Sequence, residues 1–453
     1  MIAGAFPDWI RPPRWFKAGL LGTFATGLLV RVLVVVFHDI SDKPGLFTNY
    51  DPIFYHKWAN LVANGRGYLA PYLLTANLHG RASPSANHGP ALSTLLALFS
   101  WLGLDSFTDH RVITAVVGAL AVPVIGYLVY WLMGPRAGLI AAGLAAVYPS
   151  LWLNDGMLMP ESLYAVVVAG ILFAMYAILA GRHRTGWSVG LGALIGLAML
   201  TRGEAVLFVP ILVLPLLVAL RKELFTRRLA VVALALLSTV VLLLPWTIYN
   251  LNRFERPVYL STSLDTTLDG ANCDTTYYGK GIGYWSEACF ANIANRHLEE
   301  SVASQLERKQ ALRYISTHKQ KLPVVALARF GRVWYLFKPG DSVTLDALQS
   351  RPQFWSWAGM GMFFAMIPFA LIGVFALRRR RVPVWPLGSM FLMVSVAVVV
   401  FYGNTRFRVP ADIALVALAA CGLESILPGA RNRPRADEAD AEPTDSVVED
   451  AVT

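Results

Sequence analysis

The sequence has 453 residues, of which 56% are hydrophobic and only 15% are charged. Soluble domains carry about 25% charged residues, so this composition excludes a soluble globular protein and indicates an integral membrane protein. The net charge of +10 does not indicate nucleic-acid binding, because the basic residues lie in short clusters between apolar segments, as topology signals do.

The apolar segments predict an all-α, polytopic helical protein with about ten membrane spans. The first span is 18–37, and Arg11, Arg14 and Lys17 before it predict a cytoplasmic N-terminus. Both termini are predicted to be cytoplasmic, and the membrane is predicted to be the plasma membrane. The other predicted spans are 111–133, 137–153, 159–180, 187–202, 204–220, 229–249, 354–377, 384–402 and 409–427.

One further apolar segment, 89–104, is short and is not counted as a span. If it crossed the membrane, the basic clusters at 182–184 and 221–228 would face outward, against the positive-inside rule. It is therefore predicted to be a helix at the external interface. It belongs to a first external loop, 38–110, with amphipathic juxtamembrane helices.

The largest hydrophilic insert, 250–353, is predicted to form an external loop or cap. Its first part reads as an irregular loop, and 295–320 is polar and helix-prone. The segment 323–337 is predicted to be an amphipathic helix at the interface, carrying Arg329 and Arg332.

Two of the three cysteines, Cys273 and Cys289, lie in this insert. They could form a disulfide if the insert is outside the cytoplasm, and the sequence leaves this open. The segment 431–453 is rich in proline and acidic residues and is predicted to be a disordered cytoplasmic tail. The membrane-embedded domain is then 1–430.

The first external loop contains the stretch TNYDPIFYHKWANLVANGRGY, 48–68. Proline is a favourable first helical residue, so Asp51, which precedes Pro52, is predicted to be the N-cap of an amphipathic helix. Tyr55 and Trp58 share one face of that helix. Asp51 is a candidate catalytic carboxylate and Tyr55 a candidate substrate contact. The structural alternatives are helix capping for Asp51 and packing for Tyr55.

On the predicted topology, several polar side chains collect on the external side of the apolar bundle. An arginine fork matches phosphate oxygens and keeps its charge near lipid. A carboxylate can take a proton from an attacking hydroxyl. These groups together suit an anionic lipid headgroup next to a general base. They are Asp51, His88, Asn154, Asp155, Glu161, Arg202, Glu204, Asn404, Arg406 and Arg408.

Structural alternatives remain open for these residues too. Arg406 and Arg408 could be interfacial anchors at the end of a span. Arg202 could simply neutralise Glu204. An ordinary loop or helix-start position is the alternative for Asp155, Glu161 and His88.

The order of the motifs resembles the polyprenyl-phosphate-sugar-dependent membrane glycosyltransferases of the GT-C superfamily. The branch it most resembles is that of protein O-mannosyltransferases and aminoarabinose transferases. The resemblance covers 15–430. The segments that carry it are NYDPIFYHKWANLVANGRGY, HGPALSTLLALFSWLGL, MLMPESLY, GLAMLTRGEAVLFVP and NTRFRVPADIALVALAA.

This resemblance implies transfer of a single sugar from a polyprenyl-phosphate donor to an acceptor hydroxyl on the extracytoplasmic face, with inversion. It implies that Asp51 is the general base and that Asp155 or Glu161 supports it. Arg202 is the implied phosphate contact.

Some relatives carry a phosphate-contacting lysine near the position of His88, and this chain has none there. Phosphate binding is therefore predicted to rest on Arg202, Arg406 and Arg408.

The expected partners are the lipid-linked donor, membrane lipids, and an acceptor that is a lipid, a polysaccharide or a protein, and not nucleic acid. The sequence has no CxxC, HExxH or DxD motif. No cofactor and no metal site are therefore predicted, although some GT-C enzymes use a divalent cation. The rival hypothesis is a transporter or flippase of a lipid-linked glycan. Such proteins often contain paired repeats, and no repeat is evident in this sequence.

Overall fold

The computed structural model describes residues 12–38, 50–71, 83–290, 298–347 and 351–428. Within these ranges there is no β-strand, and one isolated bridge pairs Leu69 with Pro84. The predicted all-α class is confirmed. The α-helices are α1 Arg14–Phe37, α2 Tyr50–Ala63, α3 Ala91–Trp101, α4 Phe107–Ala119, α5 Ala121–Met133, α6 Pro135–Val147, α7 Pro149–Trp152, α8 Glu161–Leu179, α9 Arg184–Thr201, α10 Leu216–Ala219, α11 Phe225–Leu251, α12 Ser263–Gly270, α13 Asp274–Tyr277, α14 Glu300–Thr317, α15 Leu322–Val333, α16 Pro339–Ala347, α17 Gln353–Arg379, α18 Trp385–Val400 and α19 Val409–Ile426.

Among the described residues, six helical segments are long and apolar enough to cross a membrane. Shorter apolar helices accompany them, so the chain is an integral membrane protein. The number of about ten spans stays a prediction. The six segments are Arg14–Phe37, Phe107–Met133, Glu161–Leu179, Phe225–Leu251, Gln353–Arg379 and Thr405–Ile426, and the shorter ones are Ala91–Trp101, Pro135–Val147, Gly203–Ala219 and Trp385–Val400.

Prolines make two of the predicted spans less regular than expected. The predicted span 137–153 is interrupted after α6, because Pro149 disfavours helical geometry in the residue before it. The predicted span 204–220 passes through a 3-10 turn, a π turn and the short α10. Pro210 and Pro215 lie in that segment and lack the N–H that a regular helix needs.

The described residues of 38–110, the predicted first external loop, include the helices α2 and α3, which pack on each other. Tyr55 and Ala59 of α2 contact Leu92 and Leu96 of α3. The predicted short helix within 89–104 is therefore present, while its position in the interface stays a prediction. One detail was wrong: α2 begins at Tyr50, so Asp51 lies in the first helical turn and is not the N-cap.

The described residues of the insert 250–353, which we call the cap, form helices α12 to α16, and their external position stays a prediction. Cys273 and Cys289 form a disulfide with a Cα–Cα distance of 5.6 Å. The predicted interfacial helix is α15, but Arg329 and Arg332 are both buried. They donate hydrogen bonds to main-chain carbonyls of the protein instead of facing lipid headgroups. The predicted tail 431–453 and Arg11 lie outside the described residues.

The centre of the bundle is formed by α8 and α19. The share of buried residues is 78% in the span Glu161–Leu179 and 83% in Thr405–Ile426, against 22% in Arg14–Phe37. Small side chains dominate α19 and let neighbouring helices approach closely, as in other membrane bundles. The chain segments that precede α8 and α19 therefore meet at one end of the core.

Candidate active site

Five charged side chains form a connected cluster at that end of the core. The Arg406 guanidinium donates from Nε to Glu161 Oε1 at 2.6 Å and from Nη1 to Asp51 Oδ2 at 3.0 Å. Arg202 donates to Glu161 and to Glu204. We call Asp51, Glu161, Arg202, Glu204 and Arg406 the charged cluster. The prediction from sequence had named all five.

Four separate chain segments position this cluster. Asp51 and Glu161 lie in the first turns of α2 and α8, where the helix dipole favours a negative charge. Arg202 follows the last residue of α9 in an extended conformation. Arg406 lies in the 3-10 turn before α19, and Asn404 Oδ1 accepts a hydrogen bond from its main-chain N–H at 2.8 Å.

The side chains of the cluster differ in their exposure. The exposed fraction of the side chain is 1% for Glu161, about a tenth for each arginine and for Glu204, and 24% for Asp51. Of the three carboxylates, Asp51 is therefore the one that an incoming substrate can reach. Glu161 lies beneath it and accepts from both guanidinium groups.

His88 and Tyr55 form the wall beside Asp51. His88 Nε2 lies 3.5 Å from Asp51 Oδ1, and the His88 ring packs against Phe54 and Tyr55 with centroid distances of 4.8 and 5.0 Å. Burial lowers the pKa of His88 below its usual value, so the imidazole is neutral near pH 7. Burial, and then the charge of Asp51, raise the pKa of Tyr55 well above its usual value.

Asp155 does not join the charged cluster. It forms a fully buried ion pair with Arg31 of α1, and both side chains are at most 1% exposed. Burial raises the pKa of Asp155 to about 6, although the Arg31 charge acts to lower it. Arg31 was missed in the sequence. The signal was available, since an isolated arginine inside an apolar span needs a partner.

Arg408 is also separate, although only one residue lies between it and Arg406. Its Nε donates to Asp412 Oδ1 at 2.9 Å, and its guanidinium lies over the rings of Tyr335 and Phe363 at 4.5 and 4.3 Å. The side chain is fully buried. Within the described residues, Arg408 contacts the interior of the bundle and not the charged cluster.

A third arginine, Arg351, was missed altogether. It donates to Asn154 Oδ1 at 2.7 Å and to Thr405 Oγ1 at 2.8 Å, and it pairs with Asp346. It therefore links the cap to the turn that carries Arg406. No sequence pattern around it distinguishes it from an ordinary loop arginine.

Among the residues that the structure describes, no three histidine, cysteine or acidic side chains group closely enough to hold a metal ion. The positive charge at the cluster comes from Arg202 and Arg406.

Comparison with known proteins finds a family match over part of the chain and a similar fold. Residues 87–262, less than half of the chain, match the family described as dolichyl-phosphate-mannose-protein mannosyltransferase. No curated protein sequence matches the chain. The matched segment contains His88, Asp155, Glu161, Arg202 and Glu204.

Among solved structures, the chain is similar to the oligosaccharyltransferase AglB from Archaeoglobus fulgidus, solved with an inhibitory peptide and a dolichol-phosphate. The TM-score is 0.53 and the identity 15%, over 91% of this chain and 50% of the other. The apo form of the Archaeoglobus fulgidus oligosaccharyltransferase gives a TM-score of 0.53 and 15% identity, over 92% of this chain and 51% of the other. This chain therefore spans about half the length of that protein. ArnT from Cupriavidus metallidurans, bound to undecaprenyl phosphate, gives a TM-score of 0.41 and 17% identity over 90% of this chain and 78% of ArnT.

The fold is thus that of the GT-C class of membrane glycosyltransferases, and the predicted class is confirmed. Within that class, the segment 87–262 is similar to the dolichyl-phosphate-mannose-protein mannosyltransferases.

Proposed function

We propose that the chain is a membrane glycosyltransferase that moves a single sugar from a polyprenyl-phosphate donor to an acceptor hydroxyl, with inversion. The observation that carries the proposal is the charged cluster: a reachable carboxylate, Asp51, bound to Arg406, with Arg202 beside it. The matching family is one of mannosyltransferases, and the dolichol-phosphate in the archaeal structure supports a lipid-phosphate donor.

The donor geometry of the two guanidinium groups, and not the net charge of the cluster, favours a phosphate ligand. Three carboxylates face two guanidinium groups, and Glu161 Oε1 is shared by both arginines. A phosphate offers more acceptor oxygens than a carboxylate and suits the planar arginine fork. It would take the Arg406 Nη1 contact from Asp51 and so release the carboxylate when the donor binds.

In the proposed reaction, Asp51 takes the proton of the acceptor hydroxyl as that oxygen attacks the anomeric carbon of the sugar. The bond from the anomeric carbon to the phosphate oxygen breaks, and the polyprenyl phosphate leaves with the electron pair. Arg202 and Arg406 stabilise the charge that develops on the leaving group. Attack from the face opposite the phosphate inverts the anomeric centre.

Glu161 is proposed to orient the arginines without acting as the base. Glu161→Gln keeps one oxygen that can accept from a guanidinium but removes the negative charge between Arg202 and Arg406. We expect the transfer rate to fall about tenfold, because hydrogen bonds to charged groups contribute about 1.5–3 kcal/mol each. Single-turnover rates of purified protein would measure this. A loss as large as that of Asp51→Asn would contradict the division of roles.

We further propose that transfer needs no metal ion, since the arginines supply the positive charge that a cation would otherwise provide. Transfer measured in EDTA is then expected to equal transfer in magnesium or manganese. Restoration of a lost activity by added cation would overturn this.

The orientation of the chain in the membrane is part of the same proposal. The charged cluster faces the extracytoplasmic side of the plasma membrane, both termini are cytoplasmic, and the acceptor is a lipid, a polysaccharide or a protein. A cysteine at position 105, at the end of the first external loop, should react with an impermeant thiol reagent in intact cells. Reaction only after permeabilisation would reverse the orientation.

The deciding experiment is transfer by the purified protein. Radiolabelled polyprenyl-phosphate sugars are offered with a membrane extract as acceptor, and movement of label to a new product supports the proposal. Donor binding without transfer across all acceptors would favour the flippase hypothesis, which proteoliposomes containing a lipid-linked glycan would then test.

A further inference from the structure

The disulfide Cys273–Cys289 closes a loop of the cap, residues 273–289, which we call the cap loop. Two buried arginines of α15 hold it. Arg332 donates from Nε to Ile282 O at 2.6 Å and from Nη2 to Lys280 O at 2.5 Å. Arg329 donates from Nη2 to Ala271 O at 2.7 Å, just before the loop. The loop is therefore fixed covalently at its ends by the disulfide and in its middle by Arg332, while Arg329 holds the residue Ala271 just before it.

The cap loop contacts the turn that contains Arg406. We call this turn, residues 403–408, the Arg406 turn. Gly403 N donates to Gly283 O at 2.8 Å. A Cβ on Gly283, whose φ is +77°, would lie 2.8 Å from Arg329 N, and one on Gly403 would lie 2.4 Å from Arg329 O. Neither position has room for a side chain, so the two backbones meet directly over α15.

One side chain of the cap loop continues this contact to Arg406. Tyr284 donates its hydroxyl to Asp346 Oδ1 at 2.8 Å and accepts from Asn404 Nδ2 at 2.8 Å. Asn404 Oδ1 in turn accepts from the Arg406 main-chain N–H at 2.8 Å. Tyr284, Asn404 and Asp346 are each at most 4% exposed. Buried hydrogen bonds of this kind fix the groups they join, because an unpaired buried partner is costly.

We propose that the cap loop is a positioning element for the Arg406 guanidinium, and that Tyr284 is the residue through which it acts. This rests on the proposed function, in which Arg406 contacts the donor phosphate. Tyr284 itself touches no substrate. Because the loop is closed by a disulfide, correct placement of Arg406 also depends on an oxidising compartment around the cap.

The first test is Tyr284→Phe, which removes the hydroxyl and leaves the ring. We expect kcat/KM for the donor to fall about tenfold, since Asn404 and Asp346 each lose a buried partner. The KM for the acceptor should not change. The affinity for polyprenyl phosphate alone should fall by a similar factor.

Tyr277→Phe is the matched control. Tyr277 lies on the same loop, is 1% exposed, and donates its hydroxyl to Asn272 Oδ1 at 2.7 Å, an oxygen that also accepts from Arg329 Nη2 at 3.1 Å. It should lose a comparable amount of thermal stability while keeping wild-type kinetics and polyprenyl-phosphate affinity. Equal kinetic losses in the two variants would mean that Tyr284 is merely structural, and would overturn the proposal.

The disulfide is tested by Cys273→Ser with Cys289→Ser, and by reducing the wild-type protein. Both should weaken polyprenyl-phosphate binding, and reductant should have no further effect on the double variant. Unchanged binding in both would overturn the proposal. Binding of polyprenyl phosphate is measured without transfer, so the two proposals can fail separately. If the wild-type protein binds but does not transfer, the proposed function is refuted. The binding measurements on the variants then still decide the role of the cap loop.

Discussion

Replacing Asp51 by asparagine is expected to lower the rate of sugar transfer about 10²–10⁴-fold, the usual contribution of a general base. Asparagine is nearly isosteric and leaves Arg202 and Arg406 in place to contact the donor phosphate, so the donor should continue to bind. The loss should therefore appear in kcat, with the KM for the donor changed little. Transfer assays and polyprenyl-phosphate binding on the same preparation would separate the two effects.

A matched control is Asp105→Asn. Asp105 is an exposed carboxylate of the same segment, 38–110, and the hydrogen bond from Asn60 Nδ2 goes to its main-chain carbonyl. This variant should transfer at the wild-type rate. If Asp51→Asn also transferred at that rate while inserted and folded normally, Asp51 could not be the base.

Replacing Arg31 by methionine is expected to destabilise the protein by about 3–5 kcal/mol, because Asp155 is left buried without its partner. Methionine retains the length and apolar character of the arginine stem. The free energy of unfolding in mixed detergent would measure the loss. Asp155→Asn in the same background should recover most of it, since the uncompensated charge is removed.

The loss of stability in Arg31→Met should depend on pH. Burial already holds the pKa of Asp155 above its usual 3.8, at about 6, and removal of Arg31 should raise it further. A carboxyl whose pKa is higher in the folded state binds its proton more tightly there, so stability is gained as pH falls and lost as pH rises through the folded pKa. The deficit of Arg31→Met should therefore shrink from about pH 8 to about pH 5. A deficit that stays constant over this range would mean that packing, and not charge, determines it.

The long apolar helices could be predicted from composition alone. A run of about twenty apolar residues must satisfy its main-chain groups internally, so α1, α11 and α17 follow from the sequence. The predictions failed in detail where proline intervenes, as at Pro149 and in the segment with Pro210 and Pro215. Hydropathy measures whether a segment prefers lipid, and it does not report which main-chain hydrogen bonds a segment can form.

The charged cluster was predicted because motif order and topology both brought its members to one side of the membrane. Distinguishing Arg406 from Arg408 needs more than that. Both arginines lie in the same short turn, yet the Arg406 guanidinium contacts Asp51 and the Arg408 guanidinium contacts Asp412 and two aromatic rings. Side-chain direction within a turn is determined by the packing of α19, which no local pattern encodes.

The roles of Tyr284 and Arg351 could not be predicted either. Tyr284 reaches Asn404 across 120 residues of chain, and Arg351 reaches Asn154 across 197. Such contacts depend on how the cap rests on the bundle. The sequence indicated that a cap exists but contains no periodic signal for its orientation.

The Arg31–Asp155 pair also has a consequence for the order in which the protein is built. The two residues are separated by 124 positions, so α1 enters the bilayer well before Asp155 has been synthesised. An arginine in the middle of a span costs about 2.5–3.5 kcal/mol on insertion scales, and α1 is apolar enough to offset it, since its mean hydropathy of 2.3 is reached with Arg31 included. We therefore expect α1 to enter the membrane before the Arg31 charge has its partner, and to reach its final packing only after the segment before α8 has been synthesised.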